Sequence, residues 1–449
     1  MNLVSGRLRP EVARIYLLCL LSRTCRCSAP GASRQGLGGK LSLTFARVFV
    51  PFALGYLLSY LLRVVNAVIA PALIDDLGLS ASDLGLLTSA NLFAFAAFQL
   101  PLGVLLDRYG PRKTEAVLLV VAAIGTATFA LAGSLALLVM GRAMIGLGTS
   151  ACLMAAFTAY ALWLPKERLP AVNGYQMVAG GIGALIGTTP VEFVEEALGW
   201  RGVFWVLTAV ALVMAVLVYS VVPRRKEAHH GTETLRQTIG GIRQVFVSPL
   251  FWRVAPMCVT SQSAFLGIQS LWLGPWFHDV MGLDTRATAD ALSHVAAAMV
   301  ASYLCLAWIT GFLSKRGVGA ISISVTGMTV FLVMQVVVVF ELVPVTVETW
   351  MVWAFTATYG IVSYAGLTQR FAVTLAGRVV TAVNVLAFFG AFAVQWGVGV
   401  IIDFWPLTES GGFHPEGYRW AFAIVASLQL VALIWFLVFR TERVAESPA

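Results

Sequence analysis

Hydrophobic residues along this chain gather in runs of about twenty with short polar breaks between them, unlike the alternating or narrow-striped patterns of soluble strands and helices. The runs cover residues 48–74, 84–106, 114–132, 135–162, 171–193, 202–222, 254–277, 290–313, 318–340, 349–368, 379–402 and 420–439, about twelve in all. A helix of that length crosses the roughly 30 Å hydrocarbon core of a bilayer, where backbone polar groups must be satisfied internally. The pattern predicts an all-α polytopic membrane protein. Its longest polar stretch, PRRKEAHHGTETLRQTIGGIRQVFVSP from Pro223 to Pro249, follows the sixth run. The expected organisation is a basic, disordered tail at residues 1–44, a six-helix half at 45–223, a cytoplasmic linker at 224–250, a second six-helix half at 251–440 and a short tail at 441–449.

Two internal echoes support pseudo-symmetric halves. GWRGVFWV from Gly199 enters the sixth run and GYRWAFAI from Gly417 enters the twelfth; GVLLDRYGPRK from Gly103 follows the second and GFLSKRGVG from Gly311 follows the eighth. Repeats of this kind place a binding site near the bilayer midplane, between the halves.

Composition agrees: 59% of residues are hydrophobic and only 12% charged, against about a quarter charged in soluble proteins. The net charge of +8 does not indicate nucleic acid, because the basic residues occupy alternate loops. One set holds Arg108, Arg112, Lys113, Lys166, Arg168, Arg224, Arg225, Lys226, Lys315, Arg316, Arg370, Arg378, Arg440 and Arg443; the other holds only Arg201, Arg286 and Arg419, among Asp75, Asp76, Glu195, Glu196, Glu341 and Glu348. Lysine and arginine favour the cytoplasmic side. Both termini are therefore expected there, in a plasma membrane or the inner membrane of a Gram-negative cell. The six cysteines show no metal-ligand spacing, and His229 and His230 read as solvated loop residues. No metal, cofactor or structural disulfide is expected. The polar loops offer no converging catalytic groups, so an enzyme is not expected either. The apolar part of the N-terminal tail, Ile15 to Leu21, is too short to span, leaving a targeting segment or a plain tail.

The chemistry centres on Arg63 within YLLRVVNAVIAPALI, Tyr60 to Ile74. An arginine at mid-span costs about 2.5–3.5 kcal/mol on insertion scales, so something must compensate it. Helical spacing puts Tyr56, Ser59, Tyr60, Arg63 and Asn66 on one face. Acidic residues such as Glu192 and Asp403 fall near span ends, and none is expected near the middle of a span. A bound anion would supply the missing charge; the structural alternative ties Arg63 to backbone carbonyls. The seventh run repeats the pattern with Gln262, Gln269 and Trp276 at spacing seven and Trp272 nearby, and Tyr359 and Asn384 lie in the tenth and eleventh. Apart from Ser59, these residues form the expected binding set of ten. Gly180, Gly181, Gly183 and Gly187 form a small-residue face suited to close, sliding helix contacts.

GVLLDRYGPRK closely resembles the loop signature of the major facilitator superfamily, and Arg142-Ala-Met-Ile-Gly146-Leu-Gly148 looks like that superfamily's second motif. The resemblance covers about residues 45 to 440. It implies alternating-access transport, with conformational gating by Gly103, Asp107, Arg108, Gly110, Arg112, Arg142, Gly146 and Gly148, joined by Gly183 and Gly187. Arg142 lies only about seven residues from the outer end of its run and can equally snorkel or hold helices together. Tyr60-Leu-Leu-Arg63 with the segment Asp76 to Ala90 is similar to the anion:cation symporter group, and more distantly to the organophosphate:phosphate antiporters. In both, a first-span arginine binds the substrate's charge. Leu62 and Thr149 stand where those symporters keep acidic groups, and no second arginine appears between Met257 and Phe277. Proton coupling is accordingly expected to be weak or atypical, with His294 as the possible coupling group. The implied function is transport of a small organic anion, a carboxylate, by a monomer in the lipid bilayer. An exporter of amphipathic compounds, or a sensor or assembly factor on the same fold, remains open.

Overall fold

The computed structural model describes residues 34–165, 168–223, 235–372, 375–409 and 411–439, and every regular element among them is helical. The terminal segments 1–33 and 440–449, the linker segment 224–234 with His229 and His230, and Lys166 lie outside the described residues. In chain order the helices are α1 (Arg34–Val64), α2 (Asn66–Leu77), α3 (Ala81–Ala130), α4 (Leu135–Thr149), α5 (Cys152–Trp163), α6 (Leu169–Ile186), α7 (Thr189–Val221), α8 (Leu235–Val247), α9 (Pro249–Gly267), α10 (Leu273–Asp279), α11 (Thr285–Lys315), α12 (Ala320–Val339), α13 (Val347–Ala357), α14 (Val362–Thr368), α15 (Ala376–Ile402) and α16 (Pro415–Val438).

Eight helical stretches among the described residues are long and apolar enough to cross a membrane. Two of these are double. In α3, Gly110 has φ 73° and ψ 164°, a conformation open to glycine, and Pro111 starts the next segment with its φ already fixed. The Thr114 hydroxyl donates to the Leu105 carbonyl at 3.1 Å across this break. Residues nine apart in a straight helix would be about 13 Å apart along its axis, so the chain turns back here. Gly199 (φ 68°) divides the stretch through α7 in the same way. Two further crossings are interrupted: a π turn, Ile268–Trp272, joins α9 to α10, and a 3₁₀ turn, Thr358–Ile361, joins α13 to α14. Dividing the two double stretches and adding the two interrupted ones gives the twelve crossings that the hydrophobic runs predict.

Large apolar side chains face outward around this bundle: Val216 is 66% exposed and Trp308 71%, with Val213, Leu304 and Val431 also more than half exposed. Such a surface suits hydrocarbon. The tryptophans Trp272, Trp350 and Trp353 are instead fully buried. One end of the bundle carries Arg108, Arg112, Lys113, Arg168, Lys315 and Arg316, and is called the basic end below.

The opposite end is tightly closed. Asp403, just past α15, accepts hydrogen bonds from the backbone N–H groups of Ala81 and Ser82 at 3.0 and 2.9 Å, satisfying donors that the first turn of α3 leaves free. Gly274 of α10 lies against α2, where an added Cβ would fall 1.9 Å from the Ala67 carbonyl oxygen. That carbonyl is available because Pro71, four residues on, has no N–H to offer it. Gly399 packs similarly onto the Ala81 carbonyl. Thr188 shares a 2.6 Å hydrogen bond with Ser293, and Thr189 donates to Asp290 at 2.9 Å. Each contact joins a segment before the linker to one after it. Nearby, the Arg201 guanidinium donates to Asp76 at 2.5 Å and holds that carboxyl below the usual carboxylate range.

Gly274→Ala is expected to push α10 off α2 and loosen the closed end. The measurement is the reaction of a water-soluble maleimide with a cysteine introduced at Ser82, the native cysteines having been replaced by serine. Several-fold faster labelling is expected. Unchanged labelling would show that the Ala67 contact does not hold this end shut.

Candidate functional site

Between the closed end and the basic end lies a cavity of about 500 Å³. Its wall draws on segments from both sides of the linker: Tyr56, Ser59, Tyr60 and Arg63 from α1, Phe95 and Gln99 from α3, Asn173 and Met177 from α6, Gln262 and Phe265 from α9, Tyr303 from α11, Tyr364 from α14, and Asn384 and Phe388 from α15. Thr149 and Leu153 complete the side formed by α4 and α5. Among the described residues, Arg63 is the sole formally charged side chain on this wall.

Arg63 is 6% exposed. Its guanidinium carbon lies 4.7 Å from the Tyr60 ring centroid, 5.3 Å from Phe95 and 5.2 Å from Phe388. Phe95 and Phe388 are themselves stacked at 4.3 Å, bridging α3 and α15. Cation–π contacts of this kind partly offset desolvation, on the order of 1–2 kcal/mol each. They do not neutralise the charge. The buried Nε of Arg63 has no hydrogen-bond partner, and no carboxylate pairs with the guanidinium among the described residues.

The carbonyl-tied arginine is Arg142. Fully buried, it donates from Nη1 to the Leu62 carbonyl at 2.8 Å. It clamps α4 to α1 one residue before Arg63. Other polar atoms at the cavity are as unsatisfied as Arg63: Ser59 Oγ, Gln99 Nε2 and Asn173 Oδ1 are buried without partners. Tyr60 and Tyr303 hydroxyls meet at 3.5 Å, and Tyr364 donates to Asn384 Oδ1 at 2.8 Å. The arrangement offers a cation and several neutral hydrogen-bonding groups in an otherwise apolar chamber, the form of a small-molecule site.

Tyr56, Tyr60, Arg63, Gln262 and Asn384 of the sequence-derived set reach the wall; the other five do not. Asn66 donates to Thr88 at 2.8 Å between α2 and α3. Tyr359 lies against Gly327, and its carbonyl accepts from Ser324. The departures in the seventh crossing fall in or beyond its π turn. A π turn accommodates an extra residue, so side chains beyond it are rotated by about 100° relative to an unbroken α-helix. Trp272 consequently donates to the Gln395 carbonyl at 2.8 Å, and Trp276 packs 5.0 Å from Trp350. Gln269 sits buried within the wide turn itself. Asn173, Tyr303 and Tyr364 were not singled out from the sequence; each is a lone polar-tipped residue in an apolar run, a signal without periodic support.

The expected gating residues also divide. Cβ atoms at Gly146, Gly148 and Gly183 would fall 2.0, 2.3 and 2.1 Å from backbone atoms of Asn91, Ala122 and Leu57, and one at Gly187 would fall 2.5 Å from the Val64 side chain. Gly103 is different: nothing lies within 4 Å of an added Cβ, so it is not a close-approach site in this conformation. Asp107 and Arg108 lie exposed on the turn before Gly110, while Arg112 donates to the Tyr219 carbonyl and stacks on its ring at 4.5 Å. His294 is exposed near the start of α11, donating from Nδ1 to the Asp290 carbonyl of its own helix at 2.7 Å, and does not line the cavity. Among the described residues, two acidic side chains are buried, Glu192 near the start of α7 and Glu115. Glu115 is fully buried because the break at Gly110 places it in the second turn of its segment rather than at the membrane surface.

The sequence profile of the Major Facilitator Superfamily matches residues 52–395. Among curated proteins, a probable sulfoacetate transporter of Cupriavidus necator is 33% identical over 157 residues, 35% of this chain and 36% of that protein. A hexuronate transporter of Escherichia coli K12 is 28% identical over 254 residues, 53% of this chain and 58% of that protein. The chain thus spans less than two thirds of the length of either. Among solved structures, a bacterial homologue of the human lysosomal transporter Spinster, in an inward-facing and unoccupied conformation, is similar in fold with a TM-score of 0.66 at 17% identity, covering 92% of this chain and 100% of that one.

Two glycine substitutions separate packing from permissiveness. Gly183→Ala forces α6 away from the Leu57 carbonyl and is expected to cost about 1–3 kcal/mol of stability. Gly103→Ala meets nothing and should stay within about 0.5 kcal/mol of the parent. Thermal unfolding of the detergent-solubilised proteins measures both, and equal effects would contradict the packing described.

Proposed function

The chain belongs to the Major Facilitator Superfamily, and on that premise we propose that it carries a small organic anion across the membrane by alternating access. The observation that supports this reading is the uncompensated guanidinium of Arg63, alone among neutral groups on the wall of a chamber that could hold a sugar-sized molecule. A carboxylate entering from the basic end would give Arg63 a two-pronged, charge-assisted partner, and charge-assisted hydrogen bonds are roughly twice as strong as neutral ones.

One cation flanked by Ser59, Gln99, Asn173, Gln262 and Asn384 favours a monoanion rich in hydroxyl groups over a dianion. A hexuronate meets that description, and so does the name of the relative matched over the longer stretch. Sulfoacetate, named for another relative, carries two acidic groups and would leave one without a cation. With the basic end at the cytoplasm, in keeping with the charge bias of the loops, the cavity faces inward. Export of the bound anion's site to the other face requires that the Asp403 and Gly274 contacts open as the basic end closes. No second subunit is needed for such a cycle.

Arg63→Ala should lower affinity for the substrate on the order of 100-fold or more, since truncating one partner of a buried charge pair costs about 2–5 kcal/mol. Expression should be unimpaired, because the change removes an insertion cost. Arg63→Lys should also be impaired, an ammonium being unable to reproduce the planar fork. Counterflow of radiolabelled glucuronate into proteoliposomes, with sulfoacetate tested alongside, measures these effects. Undiminished counterflow in Arg63→Ala would refute the anion site.

A further inference from the structure

Glu115 is the acidic side chain that the substrate site leaves unexplained. It is 0% exposed, and neither carboxyl oxygen has a hydrogen-bond partner among the described residues. Its carboxyl fills the seam between α3 and α1: an ideal Cβ on Gly55 would lie only 2.3 Å from Oε1. The titratable groups that face it are Cys152 and Tyr160, both on α5. Tyr160 is engaged elsewhere, donating to Gln176 Oε1 at 2.6 Å, and Gln176 donates to the Phe52 carbonyl on α1. On α1 the facing residue is Gly55, with no charge to offer. Arg63 lies eight residues further along α1, about 12 Å up the helix, and shares with Glu115 only electrostatic reach to Cys152. On its own segment, Arg112 is committed to the Tyr219 carbonyl.

An ionised carboxylate in such a place would lack donor, cation and water together, at an effective cost of several kcal/mol. The neutral acid, by contrast, is tolerated. We propose that Glu115 is a proton-binding site of this carrier, protonated in the conformation described here and ionised when the α1–α3 seam opens. On ionisation its O–H bond breaks, the electron pair stays on the carboxylate oxygen, and the proton passes to water admitted from the basic end.

The mechanical link is α1 itself. Its continuation, α2, is held to α10 at Ala67 and Gly274, so the opening of the closed end acts on the same rod that covers Glu115. A turnover that releases α2 therefore changes how Gly55 sits on the carboxyl. The site stands apart from the substrate wall, which suits a coupling group that must be loaded without competing for the anion. It also takes the role that His294, exposed and away from the cavity, does not fill.

The test uses two variants, Glu115→Gln and Glu115→Leu, both neutral and of similar size, so that misfolding of one does not decide the matter. Infrared difference spectra of the substrate-free protein across a pH titration are expected to show a protonated-carboxyl band that fades as pH rises and is missing from Glu115→Gln. This arm needs no substrate. The second arm rests on the organic-anion reading: both variants should retain glucuronate counterflow within a few-fold while losing accumulation driven by an imposed pH gradient. Absence of a Glu115 band overturns the proposal, as does wild-type-like gradient-driven accumulation in either variant, or a wild type that exchanges without accumulating. Loss of counterflow in both variants would make Glu115 structural and overturn it as well. A titrating Glu115 band in a wild type that exchanges neither glucuronate nor sulfoacetate would defeat the anion reading and leave the proton site standing.

Discussion

A guanidinium placed in the interior of an apolar bundle with aromatic rings packed around it constrains everything near it. Arg63 can be kept there because α1 is buried along much of its length, because the Phe95–Phe388 stack closes over it from two different segments, and because Arg142 holds the Leu62 carbonyl and so fixes the direction in which α1 presents its next side chain. The two arginines divide the work by their partners. Arg142 spends its charge on a backbone dipole and is thereby a clamp; Arg63 has no such partner and keeps its charge for whatever enters the chamber.

The contacts of the closed end rely on backbone more than on side chains. Gly274 on Ala67 and the Asp403 carboxylate on two free N–H groups exploit polar groups that a helix cannot satisfy for itself, at a proline and at a terminus, while Gly399 lets its backbone approach that of Ala81 closely. Such contacts are specific in position yet small in area. That combination suits an interface that must form and part repeatedly without unfolding the helices that carry it.

Much of this was legible in the sequence. The spacing of apolar runs foretold twelve crossings, and the stripe Tyr56, Tyr60, Arg63 holds because α1 is regular up to Val64. Where regularity fails, the sequence reading fails with it. Five residues that read as ligands do not reach the cavity; three of them, Gln269, Trp272 and Trp276, lie in or beyond the π turn after Gly267, an interruption invisible in a pattern of apolar residues. Glu115 escaped for a related reason: counted from the edge of a hydrophobic run it looks peripheral, but counted from the break at Gly110 it is already deep. Gly103 shows the converse limit, since a motif glycine gives close approach only where a neighbouring backbone is present, and nothing lies within 4 Å of a Cβ there.

The π turn at Ile268–Trp272 has a consequence for how this wall can change over generations. A wide turn holds a single surplus residue, so removing one residue there would restore α periodicity while leaving the helix on either side in its present orientation. Trp276 would keep its buried packing against Trp350, and the adjustment would be confined to the residues inside the turn. A change of chain length by one residue is thus absorbed at this turn, whereas the same deletion in a regular part of the crossing would swing every side chain beyond it by about 100°.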